Sequence, residues 1–117
     1  MNQDHQTAIR RRRSPRVLGP FKAQWCGVLR VPLVIDDLSV GGCFVLSAIA
    51  TIPASRMIIE LYLSDHECIT VEAQPLYTRK RGFAVQFVNM SEATHRQLQK
   101  ILARLGGTTE IGTLRAS

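Results

Sequence analysis

From Phe21 onward the odd positions Phe21, Ala23, Trp25, Gly27, Leu29 and Val31 are apolar or small, and polar Lys22, Gln24 and Arg30 fall between them. A period of two predicts a strand with one buried face. Pro32 interrupts the run, and Leu33 to Asp37 resumes it as a second strand. "DLSVGG" (37–42) reads as a turn and Cys43 to Leu46 as a short third strand. "SAIATIPAS" (47–55) reads as a loop, because Pro53 stops any helix there. Met57, Ile59, Leu61 and Leu63 alternate on a fourth strand, and Ile69, Val71, Ala73 and Tyr77 on a fifth, with "SDHE" as their connecting turn. After a further turn at "TRKRG", Phe83, Val85 and Phe87 supply the sixth. The period then changes: Leu98, Ile101, Leu102 and Leu105 stand at i, i+3, i+4 and i+7, the single apolar stripe of a helix. Asn89 or Ser91 caps its start, Glu92 suits its first turn, and Gly106 ends it.

Six short strands separated by turns predict an all-β fold: a closed or nearly closed six-stranded antiparallel barrel, which removes exposed edges, with a C-terminal α-helix packed on it. The expected division is a disordered N-terminus at 1–9, a domain at 10–105 and a flexible tail at 106–117. Within the domain, 10–16 is a flexible arginine arm, 17–88 the barrel and 90–105 the helix. A chain of 117 residues that is 45% apolar is large enough to fold as one domain without disulfides or a structural metal. Cys26, Cys43 and Cys68 are odd in number and set among apolar neighbours, so they read as small buried hydrophobes.

Charge changes this picture at one place. The formal net charge is +6, of which residues 1–16, with five arginines and one aspartate, hold +4. Residues 17–117 carry ten basic and eight acidic side chains, a net +2. Concentrating the excess in "IRRRRSPR" (9–16) favours a localised anion over a surface that coats nucleic acid, although a basic arm on nucleic acid stays open. The chain's seven aromatics fall mostly at alternating core positions, which argues against a single-strand stacking surface. No apolar run reaches about 18 residues and no apolar segment follows the polar start, so membrane insertion and a secretory signal are not expected. The expected location is the cytoplasm.

Catalysis lacks parts. His5, His66 and His95 fall in the polar start, a turn and a solvated helix face, with no zinc spacing to the cysteines. No G-x-S-x-G elbow, Walker loop or G-x-G-x-x-G is present. Asp36 and Asp37 are adjacent, so on a strand they face opposite sides and cannot act as a carboxylate pair. The chain is therefore not expected to be an enzyme or to carry a cofactor or metal.

Anion recognition has better support. Pro15 keeps the arm extended, so Arg12 and Arg16 stand about 13 Å apart, suited to gripping a bulky ligand from two sides. Arginine forks bond bidentately to phosphate or to the O6 and N7 edge of guanine, and their flat faces stack on a purine. A solvated basic tail is the plainer reading of the same run. In "DLSVGG" Asp37 and Ser39 point to one side of a strand end, a carboxylate and a hydroxyl able to accept from the N1–H and N2 amino group of guanine. Gly41 and Gly42 permit a turn with φ > 0 and a close backbone approach. An ordinary Asx-type turn would show the same residues.

Together, "RRSPR" fits R-x-x-x-R as Arg12 and Arg16, and "DLSVGG" fits D/N-x-S-x-x-G as Asp37, Ser39 and Gly42. In this order and spacing, with "YTRKRGFAVQFVNMS" and a leucine-striped helix following, the chain resembles the PilZ domain, a bacterial receptor for the second messenger cyclic di-GMP, over about residues 10–105. The resemblance implies a split barrel whose arm closes over the nucleotide. Arg12, Arg16, Asp37, Ser39 and Gly42 would be its binding residues, with Arg11, Arg13 and Gly41 as additional contacts. It also implies an adaptor that signals to a downstream protein partner in motility, adhesion or exopolysaccharide control. The alternative within the family is a protein-interaction module that does not bind nucleotide; such modules usually lack the arginines.

Overall fold

A computed structural model describes residues 16–47 and 55–107. The expected N-terminus 1–9 with His5, the arm up to Pro15 with Arg11, Arg12 and Arg13, the loop stretch 48–54, and the tail beyond Gly107 lie outside the described residues.

Six antiparallel strands form a closed barrel: β1 (Val17–Cys26), β2 (Arg30–Ser39), β3 (Gly42–Leu46), β4 (Met57–Ser64), β5 (Glu67–Arg79) and β6 (Gly82–Val88). Around the barrel they run β1-β2-β3-β6-β5-β4, and β4 closes onto β1. The inward row of each strand builds the core, led by Ile35, Leu38, Val45, Ile59 and Leu61, all at 0% exposure. Phe21 and Trp25 pack against it from β1, as the alternation there predicts.

The β3–β6 seam is tight enough to dictate sequence. A Cβ on Gly42 would stand 2.2 Å from the Val85 carbonyl oxygen, and one on Gly82 would stand 1.8 Å from that of Val45. Glycine at both ends of β3's pairing lets the two backbones meet. No described glycine has positive φ, so the φ > 0 turn expected of Gly41 and Gly42 is not formed. Gly42 is needed for the seam instead, while a Cβ at Gly41 would meet nothing within 4 Å.

Three strand boundaries differ from the sequence expectation. The first strand does not run on to Val31: the chain bends at Gly27–Leu29, leaving Val28 fully exposed, and Arg30 starts β2. Pro32 does not break β2, because Arg30–Leu33 has β1 on one side and no strand on the other, where a missing N–H is tolerated. "DLSVGG" is not all turn; Asp37 to Ser39 is strand, and Val40–Gly41 alone joins the paired residues Ser39 and Gly42.

The helix, α1 (Glu92–Leu102), is capped by Ser91, whose Oγ accepts from the Thr94 N–H at 3.1 Å. Asn89 is not the cap; it takes φ 55 and its amide donates to Glu72. Leu98, Ile101 and Leu102 are buried, whereas Leu105 is 37% exposed. The cause is a widening to π geometry over Ala103–Gly107, which rotates Leu105 off the stripe. Gly106 ends up against β1, where a Cβ would meet Val17 Cγ2 at 2.7 Å. Of the cysteines only Cys43 is buried; Cys26 and Cys68 alternate with inward Trp25 and Ile69 and so lie half-buried and exposed on the outer face.

Candidate functional site

Two β-bulges set the site. On β2 the register with β3 shifts between Ile35 and Asp37. Ile35 and Leu38 therefore both point into the core, and both intervening aspartates are displayed outside it. The expectation that Asp36 and Asp37 face opposite sides fails for this reason: one extra residue resets the alternation. Each is held by a different basic segment. Asp37 Oδ1 accepts from Arg16 at 2.6 Å, and Asp36 Oδ2 accepts from Arg81 of the β5–β6 turn at 3.3 Å.

The second bulge lies on β5, where the register with β6 shifts between Pro75 and Tyr77. Ile69, Val71, Ala73 and Pro75 keep the inward row, but Leu76 is the extra residue and Tyr77 emerges 48% exposed. Tyr77 is thus not a core residue, contrary to the simple alternation. The Arg79 guanidinium carbon sits over its ring, 4.7 Å from the centroid, in cation–π range.

Between the two bulges lies a cavity of about 790 Å³ on the outer face of β2, β3, β6 and β5, a volume typical of small-molecule pockets. Arg16, Asp37, Ser39, Gly41 and Gly42 all line it, so the last position of R-x-x-x-R and the three named positions of D-x-S-x-x-G share one concavity. Arg12 and its neighbours Arg11 and Arg13 lie outside the described residues. The opposite wall, absent from the sequence reading, is Leu76, Tyr77 and Arg79, and the floor includes Phe44, Ala84 and Gln86.

Ser39 is 6% exposed, and its hydroxyl is engaged in the corner: it donates to the Gly42 carbonyl and accepts from the Gly41 N–H, both at 3.3 Å. The serine thereby fixes the two-residue turn, its oxygen keeping one further lone pair. Beneath the corner, burial followed by the nearby Asp37 charge pushes the Cys43 thiol up to about 12, with Arg16 partly opposing. Cys43 is an inert packing residue at neutral pH. A separate polar cluster joins the start of β2 to β4, where Glu60 accepts from Tyr62 at 2.6 Å and Arg30 at 2.9 Å. These two bonds hold the Glu60 carboxyl below the usual range.

A family model described as "PilZ domain" matches residues 10–104. Among solved structures, the chain is similar to the PilZ domain of Escherichia coli YcgR with c-di-GMP, at 22% identity and TM-score 0.64 over 88% of this chain and 97% of that one. It is similar also to YcgR in complex with c-di-GMP, at 23% identity and TM-score 0.68, covering 92% of this chain and 51% of that one. The Bacillus subtilis inhibitor of motility, MotI/DgrA, shares 15% identity and TM-score 0.67, with 80% and 50% covered. The chain thus spans about half the length of these last two proteins, and these likenesses are of fold. No curated protein matches it in sequence. Among the described residues no helix is long and apolar enough to cross a membrane. With a family model matching from the arginine arm through the C-terminal helix and the expected barrel formed, the chain belongs to the PilZ domain family.

Proposed function

We propose that this chain binds cyclic di-GMP in the cavity at the β2–β3 corner and acts as a receptor that presents a changed surface to a partner protein. The observation that carries the reading is the convergence of Arg16 with Asp37, Ser39, Gly41 and Gly42 on one concavity, in a family whose structures include nucleotide complexes.

In this reading the carboxylate of Asp37 accepts from the N1–H and amino group of a guanine. A carboxylate offers about four lone-pair sites, so Asp37 holds Arg16 and the base edge together. Arg16 then lies beside the bound nucleotide with its fork toward O6, N7 or a phosphate, and Arg12 reaches the ligand from the far side, assisted by Arg11 and Arg13. Residues 10–16 act as the arm, and ordering them over the ligand costs about 1 to 2 kcal/mol per residue, which moderates affinity and makes arm closure the signal. Ser39 serves mainly by fixing the corner, and Gly42 by letting β3 close on β6. The chain does no chemistry on the nucleotide, and the partner lies in motility, adhesion or exopolysaccharide control.

Calorimetric titration of the whole chain with cyclic di-GMP tests this. Saturable binding at micromolar or lower concentration is expected, lost in both Arg12→Ala and Arg16→Ala. Absence of heat at high ligand concentration contradicts it.

A further inference from the structure

Hairpin loops are usually built from glycine, asparagine, aspartate and serine, whose backbones and side chains satisfy a turn without needing burial. The hairpin between β1 and β2 departs from this. Cys26 pairs with Arg30, so Gly27, Val28 and Leu29 alone make the loop, where the Gly27 N–H donates to the Leu29 carbonyl at 3.2 Å. Val28 is fully exposed and Leu29 is 76% exposed, and neither belongs to the core cluster. The barrel gains nothing from two aliphatic side chains at its tip, so folding does not account for them.

The apolar surface continues onto β4. Trp25 pairs with Ile59, so Cys26 stands beside Ile58, which is 42% exposed on the outer face. Basic side chains flank this patch: Arg30 opposite Cys26, and Arg56 two positions before Ile58. They pair with Glu60 and Glu72 on the barrel wall, yet both guanidinium groups stay more than half exposed. Such pairs are weak, leaving these cations able to meet another anion.

Antiparallel connectivity brings a further basic segment to the same end. β1, β3 and β5 run toward it and β2, β4 and β6 run away, so the β5–β6 turn with Lys80 projects from the end that carries the 27–29 loop. The described segments there, 27–31, 55–58 and 79–82, hold five basic residues and no acidic one.

We propose that this end of the barrel docks on an anionic lipid bilayer, with Val28 and Leu29 entering the boundary between headgroups and acyl chains and Arg30, Arg56 and Lys80 meeting the headgroup phosphates. The chain then lies on the membrane and does not span it. Shape selects a bilayer over a protein. A stable protein interface takes about 20 to 30 residues a side, whereas a three-residue tip with one apolar neighbour is small and convex, and a bilayer accepts it without a matching hollow. Apolar insertion and cationic attraction are each weak alone and together give reversible attachment. None of these residues lines the cavity, so docking leaves that site untouched and does not depend on the nucleotide reading.

The test is sedimentation of the whole chain with vesicles of phosphatidylcholine alone and of phosphatidylcholine mixed equally with phosphatidylglycerol. Binding to the mixed vesicles only, weakening as salt rises, is expected. The five arginines of residues 1–16 are also drawn to an anionic surface, so the decisive variant leaves charge unchanged. Val28→Ser combined with Leu29→Ser is expected to weaken binding about ten-fold or more, with an unaltered thermal melt, and Leu29→Phe to bind at least as tightly as wild type. Equal binding by the double serine variant would assign attachment to the arginines alone and overturn the proposal. So would absence of binding to the mixed vesicles; retention on immobilised poly-glutamate in that case would mark the end as a surface for an acidic protein instead.

Discussion

The strand β4 and the first half of β5 can be compared with β2 and the second half of β5. In the first pair the inward row stays apolar throughout: Met57, Ile59 and Leu61 pair with Ala73, Val71 and Ile69, and although the register shifts between Tyr62 and Ser64, Leu63 stays in the core, all seven being at 5% exposure or less. In the second pair each strand carries a bulge, at Asp36 and at Leu76, and each bulge turns a chemically useful side chain out of the core row. The first pair is hydrophobic scaffold, and the second is where Asp37, Tyr77 and Arg79 line a cavity. An inserted residue costs ladder hydrogen bonds and gains a re-aimed side chain, and here the two bulges turn Asp37 and Tyr77 outward at opposite walls of one concavity.

Mutations separate the two halves. The largest effect is expected in the scaffold pair: Ile59→Ala removes a side chain at 0% exposure and should cost about 2 to 5 kcal/mol in urea unfolding. Next is the seam beneath the site. Gly42→Ala forces a Cβ toward the Val85 oxygen at 2.2 Å and should cost about 1 to 3 kcal/mol by overpacking, whereas Gly41→Ala should cost little; equal losses would refute the seam argument. Ser91→Ala removes the helix cap and should cost about 1 kcal/mol in the same assay. Arg16→Ala should cost less than about 1 kcal/mol, because its pair with Asp37 is solvent-screened with the arginine 58% exposed, yet it should abolish nucleotide binding. A variant that loses binding without losing stability is what a bulged, exposed site predicts.

The smallest effect at neutral pH concerns Cys43. Its folded thiol is raised from 9.0 to about 12, so the neutral form is favoured in the folded state. The associated stability is fully present below pH 9 and is lost as pH rises through 12. Thiol alkylation should therefore modify Cys68 readily and Cys43 only on unfolding. Rapid labelling of Cys43 in the folded chain would place it outside the core.

Much of the barrel was legible because burial on one face enforces a period of two, and the helix because Leu98, Ile101 and Leu102 enforce a period of 3.6. The bulges were less legible. "IDDL" carries a trace, since two polar residues between two apolar ones break the alternation by one position, but the sequence does not say which residue is extra; pairing with β3 decides that. At "QPLY" the alternation passes through Pro75 without an apparent break, so Tyr77 reads as core until its partner Ala84 on β6 is known. Ala84 itself has no signal along the chain, because its place between two aromatics exists only across strands. Leu105 was misread for a related reason: a 3.6 period does not reveal a π turn at Ala103–Gly107.

On the proposed function, the nucleotide is received by the face that carries the bulges at Asp36 and Leu76, and not by β4 and the first half of β5. Backbone amide NMR of the whole chain during titration with cyclic di-GMP tests it most directly. Saturating shifts at Arg16, at 36–42 and at 76–86, with 57–63 and 69–73 unmoved, are the predicted result. Shifts centred on β4, or none at saturating nucleotide, would contradict it.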